Sequence, residues 1–351
     1  MSDSIINQTE PILITGSNGF IGSKVVEKLL DSGFTNLRCF VRPSSNLSRL
    51  NKIIGSSGNA NIKVVEGNLL SNTDCKKATE GISIIFHLAA GRGEKSYPDA
   101  YINSVVATRN LLDATLEEKC LKRFLLVSSF TVYSNKKISR GGILDENCEL
   151  EDKPMLRGEA YCYAKIRQEE IVRVYCSKFN IPHVIVRPGV VYGPGNNGIT
   201  GRVGINTFGI FIHIGGSNII PLTYVDNCAD AIILAGTKNG VDGETLNIVD
   251  DDLPKSRTLL RMYKKNVGYF KSIYIPYRVF YLLSYLWEKY SEYSRGQLPP
   301  VFNRRKCSAY WKGNKYSNEK LKKLLGWQPK ISTNESLKRY FAWQKEVGEY
   351  K

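Results

Sequence analysis

The stretch Pro11-Ile-Leu-Ile-Thr-Gly-Ser-Asn-Gly-Phe-Ile-Gly22 constrains the fold of this chain more than any other. Ile12 to Ile14 make a short apolar run of the kind a buried strand carries, and Gly16, Gly19 and Gly22 follow at three-residue spacing. Val25, Val26, Leu29 and Leu30 then recur at helical period. Strand, glycine turn and helix in this order suit a pyrophosphate, because residues without a Cβ let backbone N–H groups approach it while the helix N-terminus supplies partial positive charge. The candidate cradle is Gly16, Ser17, Asn18, Gly19, Phe20, Ile21 and Gly22. Spaced glycines also mark ordinary strand-to-helix turns. Here the turn opens an alternating strand and helix pattern, which is where a mononucleotide-binding half begins.

That pattern continues along the chain. Leu37 to Arg42 reads as a second strand, ending about 20 residues past the glycines, where many NAD-binding folds place an acid for the ribose 2′-hydroxyl. No Asp or Glu occurs between Asp31 and Glu66; Arg42, followed by Pro43 and two serines, suits a 2′-phosphate instead, so NADP is favoured over NAD. Ile62 to Asn68 is a third strand, with Asn68 and Leu69 placed to edge the adenine. Ile82 to Ala90 is a fourth; Leu88 and the small Ala89 and Ala90 leave room for a cofactor across its end, and His87 reads as a packed core residue. Asn103 begins an apolar-periodic helix, and Phe124 to Ser128 is the next strand, with Ser128 and Ser129 at the end where open parallel sheets bind ligands.

Tyr161 and Lys165 stand four apart in a helix and share one face. A neighbouring ammonium favours the phenolate, so the expectation is a phenol brought down from about 10 towards neutral pH. Y-x-x-x-K also arises by chance on amphipathic helices. Ile185 to Gly195 is a strand running into a Pro/Gly-rich loop, with Pro188 near the cofactor. From Asn196 to Asn218 the chain is glycine-rich, with Ile205, Phe208, Ile210 and Ile212, and reads as a substrate loop or lid. Leu222 to Asp226 with the helix of Ala229 to Ala235, and a last strand at Thr245 to Val249, complete the first unit. The fold class is therefore α/β, a Rossmann-type doubly wound parallel sheet with a smaller C-terminal substrate lobe. The boundaries expected are 1–190, completed by about 223–250, for the NAD(P)-binding domain, and 191–222 with 251–351 for the lobe.

Charge is unevenly placed. Of the net +16, all lies between Leu253 and Lys351, where 22 Lys and Arg face 6 Asp and Glu. An anionic partner follows: a diphosphate-bearing small molecule or a lipid headgroup, with nucleic acid disfavoured. Ile273 to Tyr293 is aromatic and uncharged from Val279 to Trp287, too short to span a bilayer. It reads as a helix packed on the lobe, with peripheral membrane contact through 273–293 as the alternative. Leu321 to Trp327 reads as a short helix closed by Gly326 and Pro329. Met1 to Glu10 lacks the order of a signal peptide and no apolar run reaches about 18 residues, so a cytoplasmic protein is expected. Eight cysteines without a C-x-x-C pair and three distant histidines imply reduced thiols and no metal.

Taken together, T-G-S-N-G-F-I-G at 15–22, H-L-A-A at 87–90, Asn103 with N-L-L-D-A at 110–114, V-S-S-F-T-V-Y at 127–133, Y-C-Y-A-K at 161–165, R-P-G-V-V-Y-G-P at 187–194 and L-G-W-Q-P-K at 325–330 resemble the extended short-chain dehydrogenases/reductases, the NAD-dependent epimerase/dehydratase family. The resemblance implies Tyr161 as general acid/base, Lys165 as its partner that also holds the nicotinamide ribose, Ser129 as the hydroxyl on the substrate oxygen, and Asn103 beside them. It also implies an oxidoreductase or epimerase acting at a secondary alcohol or ketone, with a sugar nucleotide as the favoured substrate; homodimers are usual in the family. Phe130 and Thr131 stand where its dehydratases carry an acidic pair, which disfavours dehydration. Val190 and Ile219 replace residues that UDP-sugar epimerases use, and T-Y-V-D-N at 223–227 looks closer to the branch of 3β-hydroxysteroid and sterol dehydrogenases. A sterol-like or lipid-linked alcohol, or a binding protein that only senses cofactor, are the alternatives.

Overall fold

A computed structural model describes residues 3–58, 60–91, 96–196, 198–207, 209–295, 297–298 and 301–349. Phe208, read above as part of the glycine-rich loop, lies outside the described residues. The strands in chain order are β1 (Ile12–Thr15), β2 (Asn36–Val41), β3 (Asn61–Glu66), β4 (Ile84–His87), β5 (Arg123–Val127), β6 (Ile143–Leu144), β7 (His183–Pro188), β8 (Val190–Tyr192), β9 (Gly204–Thr207), β10 (Ile210–Ile214), β11 (Leu222–Tyr224), β12 (Thr245–Ile248), β13 (Ser272–Ile275) and β14 (Lys315–Tyr316). Seven of them form one parallel sheet in the order β12-β7-β5-β4-β1-β2-β3. The chain winds outward from β1 to β3, then crosses back to β4. The strand order thus reverses between β1 and β4, the switch point at which such sheets bind their ligands.

Why the strands read as unbroken apolar runs is plain from their surroundings. Ile12 and Ile14 face one core with Val25, Val26, Leu29 and Ile232, whereas Leu13 faces the other with Leu111, Leu112 and Val172. Helices cover both faces, so no position on a central strand has a solvent side. Each fully buried Leu or Ile contributes about 1.5–3 kcal/mol. A third, aromatic core gathers Tyr192, Phe211, Leu259, Leu337, Tyr340 and Phe341.

Three readings need correction. Residues 196–218 are not a loop throughout: β9 and β10 form an antiparallel pair, extended by β13 parallel to β10. Phe211 and Ile214, on opposite faces of β10, are buried in two different cores, so the strand is covered on both sides. The segment 273–293 is not one helix, because Ile273 to Ile275 belong to β13 and Pro276 caps a helix over Tyr277–Tyr293. A proline disfavours helical geometry in the residue before it. Gly189 also interrupts the strand expected at 185–195, and β8 leaves the main sheet to pair with β11. Asn103 lies within a π-helical turn, Ile102–Val106, between the helices Tyr97–Tyr101 and Ala107–Thr115. The short helix before Gly326, at Glu319–Leu325, is as expected.

Candidate active site

The crevice is built first by glycines. Gly16, at the end of β1, has φ +70°, and a Cβ there would lie 3.0 Å from Ala89 N and 3.2 Å from the Leu88 carbonyl carbon. The turn therefore presses directly on the end of β4, where Ala89 N donates to Thr15 Oγ1 at 3.3 Å. A Cβ on Gly22 would overlap the Gly16 carbonyl oxygen. Gly19 caps the helix Phe20–Asp31 without a side-chain bond, and no acid sits in the first turn. Such an N-terminus leaves its backbone donors for an anion. Ser17 is buried and donates to Phe40 O at 3.4 Å, while Asn18 is half-buried in the turn. Ile21 packs on the main core. Phe20 carries the Arg49 guanidinium 5.8 Å from its ring centre, and Arg49 Nη2 donates to Gly195 O at 2.6 Å. These residues fit a dinucleotide: a tight turn, an uncapped helix end and no competing carboxylate.

Around that turn the other strand ends supply the remaining candidates. Arg42 directly follows β2 and is exposed. Asn68 and Leu69 follow β3: Asn68 N donates to Asp74 Oδ2 at 2.9 Å, and the carbonyl of buried Leu69 accepts from Asn110 Nδ2 at 3.0 Å. Leu88, Ala89 and Ala90 are half-buried beyond β4. Pro188 closes β7, buried opposite Ile248 of β12.

Ser129, Tyr161 and Lys165 meet beside the end of β5. Ser129 caps the 3-10 turn Phe130–Val132, its Oγ accepting from Thr131 N at 3.2 Å. Tyr161, near the start of the helix Ala160–Phe179, lies close enough to the Ser129 side chain for the two to interact electrostatically. One turn later Lys165 is buried, and its Nζ donates to Val127 O at 2.7 Å and Gln168 Oε1 at 2.9 Å. Burial pushes the Lys165 ammonium down to about 8, against the opposing pull of Glu169. The expectation of a phenol lowered by Lys165 is corrected: burial raises Tyr161 above its usual value, and the nearby Ser129 only partly offsets this. Geometry explains the difference, since Lys165 Nζ lies 6.0 Å from the Tyr161 ring centre and points at Val127 and Gln168. Asn103 is close to the strand end at Gly91, but its amide donates to Asp99 O at 3.0 Å and Asp99 Oδ1 at 3.1 Å.

A buried polar chain behind Lys165 escaped sequence reasoning. Gln168 Nε2 donates to Thr108 Oγ1 at 2.7 Å, and Thr108 Oγ1 donates to Ser104 O at 2.6 Å. Thr108 must then accept from His87 Nε2, 2.8 Å away, which leaves His87 Nδ1 to accept from Thr15 Oγ1 at 2.7 Å. We assign His87 as the neutral Nε2–H tautomer on this network. Complete burial and the nearby Lys165 push its pKa down to about 3, in keeping with that assignment and with its reading as a core residue. The only local signal was the three-residue spacing of Lys165 and Gln168; His87, Thr108 and Thr15 come from distant segments.

Two further buried clusters brace the site. Arg187 of β7 clamps Glu169 with Nε to Oε1 at 2.9 Å and Nη2 to Oε2 at 2.6 Å, fixing the helix of Tyr161 to the sheet. On the other side, Arg157 Nε lies 2.6 Å from Glu159 Oε2, and Tyr310 OH donates to Glu159 Oε1 at 2.6 Å. Tyr310 thereby ties the C-terminal part to a residue two before Tyr161. Among the described residues no group of three His, Cys, Asp or Glu is placed to hold a metal.

With this geometry in place, comparison with known proteins is decisive on one point. The model of the NAD dependent epimerase/dehydratase family matches residues 12–249. The chain belongs to that family. A Bacillus subtilis (strain 168) protein carrying the name uncharacterized UDP-glucose epimerase YtcB is 30% identical over 251 residues, 68% of this chain and 76% of its own length. Sterol-4-alpha-carboxylate 3-dehydrogenase, decarboxylating, of Mus musculus is 24% identical over 342 residues, 93% of this chain and 89% of its own. Among solved structures, UDP-glucuronic acid 4-epimerase from Bacillus cereus, in complex with UDP-glucuronic acid and NAD, has a TM-score of 0.72 at 22% identity, over 96% of this chain and 99% of that one. That likeness is one of fold.

Proposed function

We propose that this family member is an NAD(P)-dependent oxidoreductase or epimerase acting at a secondary alcohol or ketone of a nucleotide-linked sugar. The observation that carries the reading is the meeting of Ser129, Tyr161 and Lys165 at the sheet end that also holds the glycine turn. A nicotinamide dinucleotide, when bound, supplies the acceptor or donor of hydride. Gly16 to Gly22 with the first turn of their helix hold its pyrophosphate, Asn68 and Leu69 edge its adenine, and Leu88, Ala89, Ala90 and Pro188 line the far end. Ser129 Oγ orients the substrate oxygen and Tyr161 exchanges its proton. Lys165 spends two donors on Val127 and Gln168, leaving its third N–H for a ribose hydroxyl. A phenol held above its usual pKa stays protonated at neutral pH, the form that serves as the acid in ketone reduction, whereas the reverse direction needs the phenolate and speeds as pH rises.

Arg42 favours NADP, since no acid stands at the end of β2 to repel a 2′-phosphate. Arg42→Ala should weaken NADPH binding far more than NADH binding, read by fluorescence titration; equal losses would refute the preference. Dehydration remains disfavoured by Phe130 and Thr131. The aromatic core joins residues of 192–224 to residues of 259–341, but the proposed boundaries do not hold throughout: Leu321, Leu325 and Trp327, placed in the lobe, pack in the core of the main sheet, and Tyr224, placed in the dinucleotide unit, joins the aromatic core. The second reading, a sterol-like or lipid-linked alcohol, is favoured by the exposed apolar face of the helix Tyr277–Tyr293. Turnover on a panel of UDP-sugars and sterols with either dinucleotide, products followed by mass spectrometry, separates the two. Conversion of UDP-sugars supports the first reading, conversion of sterols alone replaces it with the second, and no conversion of either class overturns both.

A further inference from the structure

The helix Tyr277–Tyr293 has two apolar faces where a surface helix needs one. Its inner line, Phe280, Ser284 and Ser291, is buried, with Phe280 edge-on to Trp311 at 5.2 Å and to Phe302 at 5.6 Å. Val279, Leu282, Leu283, Leu286, Tyr290 and Tyr293 are each between 47% and 85% exposed. At about 100° per residue they fall on a single stripe, roughly 120° around the helix from the buried line. A contiguous exposed apolar stripe of this kind marks a contact surface. The charged residues of the helix occupy the remaining flank.

We propose that this stripe docks flat on an anionic phospholipid surface. Charge selects the occupant. Residues 264–306 carry nine Lys and Arg against two Glu. Both glutamates are already neutralised, Glu288 by Arg304 at 2.7 Å and Glu292 by Lys289 at 2.7 Å. Arg278 on the helix is exposed, as are Lys271 shortly before it and Arg295 just after it. A second copy of the chain would bring like charges together, and a nucleic-acid backbone offers nothing to cover six apolar side chains. A bilayer of anionic lipid satisfies both features at once: its acyl boundary takes the leucines, its headgroups take the cations, and its interface suits tyrosine. Among the described residues no helix is long and apolar enough to cross a membrane, so the contact is one of lying on the surface. The proposal does not depend on the catalytic reading, and it sets the C-terminal part, tied by Tyr310 to Glu159, against the membrane.

The test uses the full chain with vesicles of phosphatidylcholine alone or mixed with phosphatidylserine, followed by flotation. Wild type should partition onto the mixed vesicles about tenfold or more better than onto phosphatidylcholine, and Leu282→Glu with Leu286→Glu should abolish most of that binding at an unchanged melting temperature. Acyl-brominated lipid in the mixed vesicles should quench wild-type tryptophan fluorescence, a readout that holds even if the double variant folds poorly. Absence of flotation and of quenching would overturn the proposal. So would a dimer by light scattering that the two glutamates dissolve, since the stripe would then be covered by a second copy.

Discussion

The strand leading into the glycine turn and the helix Tyr277–Tyr293 are both rich in apolar side chains, yet the strand is buried on both faces while the helix keeps most of its apolar side chains exposed. Around the turn, Gly16 touches the backbone of β4, Gly22 has no room for a Cβ, and Ile12 to Ile14 are buried on both faces of the sheet. Along the helix, only one line of side chains is covered. Hydropathy alone does not tell these regions apart. Local charge does: the part of the chain from Leu253 onward holds the whole excess of Lys and Arg, whereas the remainder is balanced. Buried apolar surface positions chemistry, and exposed apolar surface ringed by cations positions the molecule.

The contrast can be broken at several strengths. Arg187→Met leaves Glu169 buried without its clamp and should cost about 3–5 kcal/mol by urea unfolding, the largest effect expected here. A loss below about 1 kcal/mol would show that the helix of Tyr161 is not held by this pair. Gln168→Leu removes one of the two acceptors of Lys165 Nζ, leaving Val127 O, and removes the amide donated to Thr108, for about 1–3 kcal/mol. As a positioning change it should lower kcat more than it raises KM. If both parameters stay at wild-type values, the chain from Thr15 to Lys165 is merely structural. Leu282→Glu with Leu286→Glu, on the open face, should change stability by no more than about 0.5 kcal/mol each.

Titration sharpens the same comparison. Lys165 falls from 10.5 to about 8 on burial, so between those values the unfolded chain binds more protons than the folded one. Its contribution therefore makes stability rise as pH climbs from about 8 to 10.5. The difference between wild type and Lys165→Met, measured by chemical unfolding across that window, isolates this slope from other groups. A flat difference would mean that Lys165 is not desolvated as the structure has it.

The sheet was legible because its determinants are local: apolar runs, spaced glycines and small residues at strand ends all sit within a few positions of one another. Ser129, Tyr161 and Lys165 were nominated differently, Tyr161 and Lys165 by their spacing of four and Ser129 by the family resemblance, and the bond from Lys165 to Val127 shows the helix of the pair lying beside the end of β5. The chain through Thr15, His87, Thr108 and Gln168 was not legible, since its members join four separate segments and each looks like an ordinary core or surface residue alone. Glycines between 196 and 218 suggested mobility and masked the β9–β10 pair, in which Phe211 stands opposite Asn206 and Ile212 opposite Ile205. The helix Thr333–Glu349 was missed altogether, although Leu337, Tyr340 and Phe341 carry its buried face. The direction of the Tyr161 shift was also out of reach, because a spacing of four says that two groups share a helix face but not how far burial opposes their charge.

The most direct measurement is turnover of Tyr161→Phe on whichever substrate of the tested panel the wild type converts, alongside dinucleotide binding by the same two proteins. Loss of the hydroxyl next to Ser129 should lower kcat on the order of a thousandfold while Kd for the dinucleotide stays within about twofold. Turnover equal to that of the wild type would contradict the assignment of the proton to Tyr161.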